Sequence, residues 1–407
     1  MSGAGTGQKY LFSGLKVIDC ATVIAAPAAA MMLADFGADV IKIEQPGEGD
    51  MLRLLSHIPS TPDAGSDWFW ELDGRNKRSI TLDLKQDDAV AVLQRLVGGC
   101  DVFITNQPYA VREALGLCYE DLKALNPNMI YASLTAYGEQ GDERQRKGFD
   151  QLAYWARSGL MDLMRAPGTT PTQGLPGMGD HPTGVALYAG IVTALLHRER
   201  SGEGSLVQTS LLANGLWSAA GIAQGALAGG DMQAYRQVNQ VNSAMFRVYQ
   251  AADGRWLQFN MVRNEELLSL ALAAMEALHL LTDPRFASLE LMWENREALG
   301  DELAQIISEK SSDEWLRLFA AYEVPVNRIA LVEEALDDAQ MTANGMVIDG
   351  APDTDVPRLI NHPVKVSSVP QVGPLPAPGL GQHSTEILLE LGYTQEQIDA
   401  LNGVGST

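Results

Sequence analysis

The sequence predicts an α/β protein, with a doubly wound parallel sheet and a second, smaller α+β domain. Its 407 residues exceed what one hydrophobic core usually serves. The first third alternates short Val/Ile-rich runs with Ala/Leu/Met-rich helical stretches, the pattern of parallel strands joined by crossover helices. Near Phe246 the pattern changes to paired strands followed by helices.

In chain order, LKVIDC (15–20) is a compact apolar run and opens the sheet. APAAAMMLADFG follows as a helix, with Pro27 near its start and Gly37 at its end. ADVIKIE (38–44) and RSITLDL (78–84) read as strands, and DDAVAVLQRLVGG (87–99) as a helix with acidic residues first and glycines last. DVFIT (101–105) and MIYASLTAY (129–137) are further strands around a helical EDLKALNP. From Gly184 the chain turns helical, first as GVALYAGIVTALLHRER and then as VQTSLLANGLWSAAG; GIAQGALAGGD fits a helix tail or a hinge. FRVYQAADGRWLQFNMV (246–262) reads as a hairpin around Asp253-Gly254. EELLSLALAAMEAL and SSDEWLRLFAAY are helical, the latter capped by its leading Ser and Asp. The expected division is a large domain over 1–220, a linker over 221–240, a small domain over 241–332 and a closing segment over 333–407. Five prolines between 363 and 378 make part of that last stretch an extended tether, and a short helical pair ends the chain.

Composition narrows the function. Apolar residues make up 46% and charged ones 20%, as in globular proteins. With 51 acidic against 29 basic residues the net charge is −22. That argues against nucleic-acid or anionic-membrane partners, which need a broad basic face, and leaves room for a phosphate-bearing small molecule on a local basic cluster. No apolar run approaches a membrane span, and the N-terminus does not read as a secretory signal. Three cysteines without a CxxC and six scattered histidines predict a reducing cytoplasm and no metal site.

GxxxxGK[ST], a GxGxxG after the first strand, GxSxG and HExxH are all missing, which lowers nucleotide hydrolysis, hydride transfer and serine or zinc hydrolysis as readings. Three constellations remain. Arg75, Lys77 and Arg78 put three cations in four positions beside a strand; they fit a solvated turn and also an anion seat, with Lys42 and Arg53 after the ends of early strands. Asp180, in GMGDHPTG, fits a helix N-cap. It equally fits a nucleophile, because a carboxylate at a helix start stays ionised and the flanking glycines admit a bulky acyl group. KGFDQLAYWARSGLM supplies Phe149, Tyr154, Trp155, Leu160 and Met161 as core or as the wall of an acyl pocket.

Taken in order, LFSGLKVIDCATVIAAP, LADFGADVIKIEQPGEGDMLR, GRNKRSITLDLK, DVFITNQP, KGFDQLAYWARSGLM, MGDHPTGVALYAGIVTALLHRERSGEGSLVQTSLL and PAPGLGQHSTEILLELGYTQEQI resemble the family III CoA-transferases, the CaiB/BaiF family. The resemblance covers roughly the first half and the last tenth of the chain. It implies a Rossmann-like large domain built from both chain ends, a smaller inserted domain and an interlocked homodimer. It also implies CoA transfer from an acyl-CoA thioester to a free carboxylic acid, with no prosthetic group, metal or ATP. The family's nucleophile falls on Asp180, acting through aspartyl anhydride and aspartyl–CoA thioester intermediates. Its CoA contacts fall on Lys42, Asn76, Lys77, Arg78 and Asn106, with Arg75 assisting. The sequence departs from the family at Ile24, Gln107, Ala114 and Thr135. An α-methylacyl-CoA racemase shares the scaffold but needs a His where this chain has Phe149. A CoA-binding protein without catalysis is the remaining alternative, opposed by the intact Asp180. The aromatic and Met-rich stretch from Phe149 to Met164 suggests a medium or aromatic acyl group rather than a small diacid.

Overall fold

The computed structural model describes residues 10–165, 168–239, 244, 247–259 and 265–404. Six strands form a parallel sheet: β1 (Lys16–Cys20), β2 (Asp39–Glu44), β3 (Arg78–Thr81), β4 (Val102–Thr105), β5 (Ile130–Thr135) and β6 (Ser205–Ser210). Their order is β3-β2-β1-β4-β5-β6, and every adjacent pair is parallel. The direction of winding reverses between β1 and β4. A crevice therefore opens above their carboxyl ends, where doubly wound sheets bind ligands.

Both faces of the sheet are covered, so successive strand residues enter different cores. Val17, Val102, Ile104, Ile130 and Leu134 pack on one side under α1 (Ala25–Asp35) and a long helix, Asp180–Ser201. Ile18, Ile41, Phe103 and Tyr131 pack on the other, against the helices at 87–98 and 119–125 and against Ile387 and Leu388 near the C-terminus. The helix α1 is buried along its whole length, which accounts for its alanines: small side chains let it lie against the sheet and a neighbouring helix at once.

The reading of VQTSLLANGLWSAAG as one helix is corrected. Ser205–Ser210 is the edge strand β6, paired with β5 from Ile130↔Ser205 to Thr135↔Ser210. The helix begins only at Leu211, where the Ser210 hydroxyl accepts the Ala213 N–H. An edge strand with one wet face needs few apolar residues, so two Ser, a Gln and a Thr outnumber Leu206 and Val207 here and mask the pattern.

The chain divides into two compact units. One comprises Met1–Met164, Pro171–Ala223 and Thr342–Thr407, and so draws on both ends of the sequence. The other comprises Arg165–Thr170 and Gln224–Met341. These bounds differ from the expected 1–220, 241–332 and 333–407. The expected linker at 221–240 holds helices Ala220–Leu227 and Met232–Asn239 instead; residue 240, residues 241–243 and 245 of the expected small domain and parts of the hairpin (246, 260–262) lie outside the described residues. Within the second unit, Val248–Gln250, Trp256–Phe259 and Val326–Arg328 form an antiparallel sheet over a core with Phe286, Leu303, Trp315 and Phe319.

The Pro-rich stretch returns to the first unit through backbone and side-chain bonds. Trp70 Nε1 donates to the Pro378 carbonyl at 2.9 Å, and the His383 N–H donates to the Ser79 carbonyl at 2.9 Å. Among the described residues no helix is long and apolar enough to cross a membrane.

Candidate active site

The crevice is walled first by the loop after β1. Asn106, just past β4, brackets Thr22: its Oδ1 accepts the Thr22 N–H at 2.9 Å and its Nδ2 donates to the Thr22 carbonyl at 2.7 Å. Val23 follows with φ +68°, a left-handed conformation rare for a β-branched residue. Its N–H is held by Asp50 Oδ1 at 2.9 Å, and Asp50 in turn pairs with Lys42 at 2.7 Å. Such strain persists only where the surroundings over-determine it, and here two side chains fix the loop from opposite sides.

The second wall is the loop entering the long helix, numbered here α2 (Asp180–Ser201). Gly177 has φ +86°. The buried Asp150 gathers the loop: its Oδ2 accepts the N–H groups of Gly177 at 3.0 Å and Gly179 at 3.2 Å, while Oδ1 accepts that of Gln151 at 2.8 Å. A Cβ at position 179 would lie 2.6 Å from Tyr154 Cγ, so only glycine fits. A Cβ at Gly184 would lie 2.6 Å from the Ala25 carbonyl, so that glycine lets α2 press on the start of α1.

Asp180 is therefore the first residue of α2, and its carboxylate does not cap the helix; the N-cap is Gly179. Asp180 makes no side-chain hydrogen bond among the described residues. It lines a cavity of about 230 Å³ with Val23, Ile24, Asn106, Leu134, Ala136, Phe149 and Leu211. Burial and then the nearby Asp150 push its carboxyl up to about 7, against an opposing pull from His181. His181 Nε2 lies 3.2 Å from Asp73 Oδ2.

The structure separates the cations that the sequence grouped. Arg75 is buried on Asp35, at 2.7 Å. Lys77 points inward to Asp19 at 2.9 Å and the Pro27 carbonyl at 2.8 Å. Arg78 turns to Asp39, Glu386 and Glu390. Asn76 bridges Asp35 and the Leu375 N–H. Each has a committed partner within the fold, so none of them presents a free donor toward the cavity in this structure. The basic groups that do line the cavity are ones the sequence did not single out: Arg144, Arg146 and Lys147. Arg146 pairs with Glu143 at 2.6 Å, Arg144 lies over the Tyr109 ring at 4.4 Å, and Lys147 has no ion pair among the described residues. An adjacent crevice of about 480 Å³ carries Lys85 beside Cys20, Gln45, Leu82, Gln107 and Ala114.

The sequence also left Asp150 without a role. Asp150→Ala removes the acceptor of three N–H groups. A displacement of about 1 Å costs on the order of 10²-fold in rate, so kcat is expected to fall by about that factor while KM for acyl-CoA changes little. Steady-state kinetics beside a circular-dichroism check of folding measure this.

The family model for CoA-transferase family III matches residues 12–384. The chain is 32% identical to (R)-2-hydroxy-4-methylpentanoate CoA-transferase of Clostridioides difficile, over 96% of this chain and 97% of that one. It is 31% identical to cinnamoyl-CoA:phenyllactate CoA-transferase of Clostridium sporogenes, over 96% of each. A crystal structure of a CaiB/BaiF family protein from Brucella suis superposes with a TM-score of 0.82 at 30% identity, covering 94% of this chain and all (100%) of that one. A family model matched over residues 12–384 and relatives alike along almost their whole length lead to one conclusion: the chain belongs to CoA-transferase family III and is a CoA-transferase.

Proposed function

We propose that Asp180 is the nucleophile that carries the acyl group and then CoA. One observation carries this reading: an unpaired carboxylate on the wall of the cavity at the sheet's carboxyl edge. Its oxygen attacks the thioester carbonyl; a C–O bond forms, the C–S bond breaks and CoA leaves as thiolate. The thiolate attacks the aspartyl carbonyl of the mixed anhydride, releasing the donor carboxylate and leaving an aspartyl–CoA thioester. The acceptor carboxylate repeats the first step on that thioester, and the thiolate then takes the acceptor's acyl group and restores Asp180. Thioester energy is conserved throughout, so no ATP enters.

CoA binds as the substrate's carrier along the two crevices. Lys85, Arg144, Arg146 and Lys147 meet its phosphates, while Asn106 shapes the wall beside the thioester. Lys42, Arg75, Asn76, Lys77 and Arg78 serve indirectly, by holding the walls. The apolar lining from Ile24, Leu134, Ala136, Phe149 and Leu211 favours a branched or aromatic acyl group; the 2-hydroxy acids in the names of both relatives point the same way. The protein works in the cytoplasm as a homodimer; free thiols at Cys20, Cys100 and Cys118 and the strongly exposed Trp217 (79%) support this.

The assay is exchange between acyl-CoA donors and a panel of carboxylic acids, read by mass spectrometry. ATP-independent formation of the acceptor's CoA thioester is expected with 2-hydroxy and aryl acids, and turnover confined to small dicarboxylates overturns the substrate class. In D2O, a 2-methylacyl-CoA is expected to keep its α-proton, because Phe149 cannot carry one. Wash-in of deuterium would favour racemisation instead.

A further inference from the structure

His181 breaks a local rule. It sits in the first turn of α2, where the helix dipole disfavours a cation, and glutamate or a neutral residue would make a better helix start. Asp73 explains its place. That carboxylate ends the helix Trp68–Gly74 and is fully buried, at 0% exposure. Its oxygens lie 3.2 and 3.4 Å from His181 Nε2, and it has no other side-chain hydrogen bond among the described residues. A buried carboxylate is costly unless a charge or donors compensate it.

We propose that His181 is a positioning residue for Asp180: locked onto Asp73, its imidazolium fixes the first turn of α2 and sets a positive charge beside the nucleophile, which favours the attacking, ionised form of that carboxylate. This rests on the reading of Asp180 as nucleophile. The surrounding charges come from four directions. Asp150 faces Asp180 from the π-helical segment Gln151–Arg157 that it caps. Asp73 faces His181 from the helix beneath, with Lys77 close behind it. Arg144, Arg146 and Lys147 stand at the cavity rim. The loop after β1 contributes only the uncharged Val23 and Ile24. Burial alone would lower the His181 pKa, but Asp73 overrides it and lifts it to about 9, so the ring is charged at neutral pH. Burial, then Asp150 and more weakly Asp73, lift the Asp180 carboxyl to about 7, and His181 is the neighbour that pulls it back.

Asp180 attacks only when ionised, so kcat/KM rises with pH through its pKa. Losing the imidazolium leaves burial, Asp150 and Asp73 unopposed and moves that acidic limb upward. In His181→Gln the limb is expected to move up by about one pH unit, which is a tenfold loss on the acidic side. Rates near pH 8.5 recover and KM for acyl-CoA is unchanged. Asp73→Asn keeps an oxygen for the ring but withdraws the charge that protonates it; because Asp73 also raises the Asp180 carboxyl directly, the limb moves up by less than in His181→Gln. The double variant moves no further than His181→Gln. A merely structural role would lower kcat equally at every pH; an unmoved limb in both single variants, with Asp180→Asn inactive, overturns the proposal. Full turnover by Asp180→Asn would instead overturn the nucleophile reading on which it rests.

Discussion

Asp180→Asn is expected to abolish CoA transfer and to stabilise the fold. The loss in kcat is at least about 10⁴-fold, because an amide cannot form either covalent intermediate. Treatment of the acyl-CoA-loaded wild type with hydroxylamine or borohydride should leave a modified Asp180, and the variant should show none. The stability gain follows from proton linkage. Burial and then Asp150 lift the Asp180 carboxyl of the folded protein to about 7, from an ordinary 3.8. Between those values the folded state binds the proton and the unfolded state does not, so stability from this group falls as pH rises from about 4 and is fully lost above about 7. The cost is about 4 kcal/mol at its largest, at about 1.4 kcal/mol per pH unit. A neutral asparagine of the same shape escapes it. The variant should therefore melt above the wild type at pH 8, and the two should converge near pH 4. A lower melting temperature at pH 8, or residual turnover, would remove Asp180 from the centre of the site.

That opposition between activity and stability says which parts of the molecule the sequence can reveal. β1, β2 and β4 were legible because each is a short Val/Ile-rich run buried on both faces, a signal that needs no partner to read; β3 and β5 were legible as short runs with apolar residues between helical stretches. β6 was not, because an edge strand of Ser, Leu, Val, Gln and Thr carries its message in its pairing with β5. Asp180 was legible through its glycines, and the structure gives those glycines reasons: Tyr154 at Gly179 and the Ala25 carbonyl at Gly184. The partners of Asp180 were not legible. Asp150 and Asp73 lie 30 and 107 positions away in the chain, and nothing local distinguishes them from solvated carboxylates. The partners of the cations were not legible for the same reason. Arg75, Lys77 and Arg78 are adjacent in sequence, but each answers a different distant carboxylate: Asp35, Asp19 and Asp39. Adjacent residues leaving a helix and entering a strand point in different directions, so a run of like charge along the chain need not make a patch in space.

Lys77 and Lys147 test that distinction directly. Lys77 is 5% exposed, and its ammonium lies 2.9 Å from Asp19, a carboxylate at 0% exposure. Lys77→Met preserves length and apolar packing but leaves Asp19 facing only Lys42, 3.8 Å away. Breaking a buried pair by removing one partner costs about 3–5 kcal/mol, so the variant should melt well below the wild type. The fraction that remains folded should keep its KM for acyl-CoA, because Lys77 is turned into the protein. Lys147 is exposed at the cavity rim. Lys147→Ala should leave the melting temperature unchanged, since no internal partner loses a charge. Its KM for acyl-CoA should rise about 10-fold, the worth of one charge-assisted phosphate contact, and the rise should shrink as salt screens the interaction. A stable Lys77→Met with weakened acyl-CoA binding would reverse the assignment and return the phosphate seat to the strand that follows residue 77. The two outcomes separate cleanly because burial decides which kind of energy each ammonium contributes: Lys77 compensates a carboxylate that water cannot reach, and Lys147 offers its charge to whatever enters the cavity.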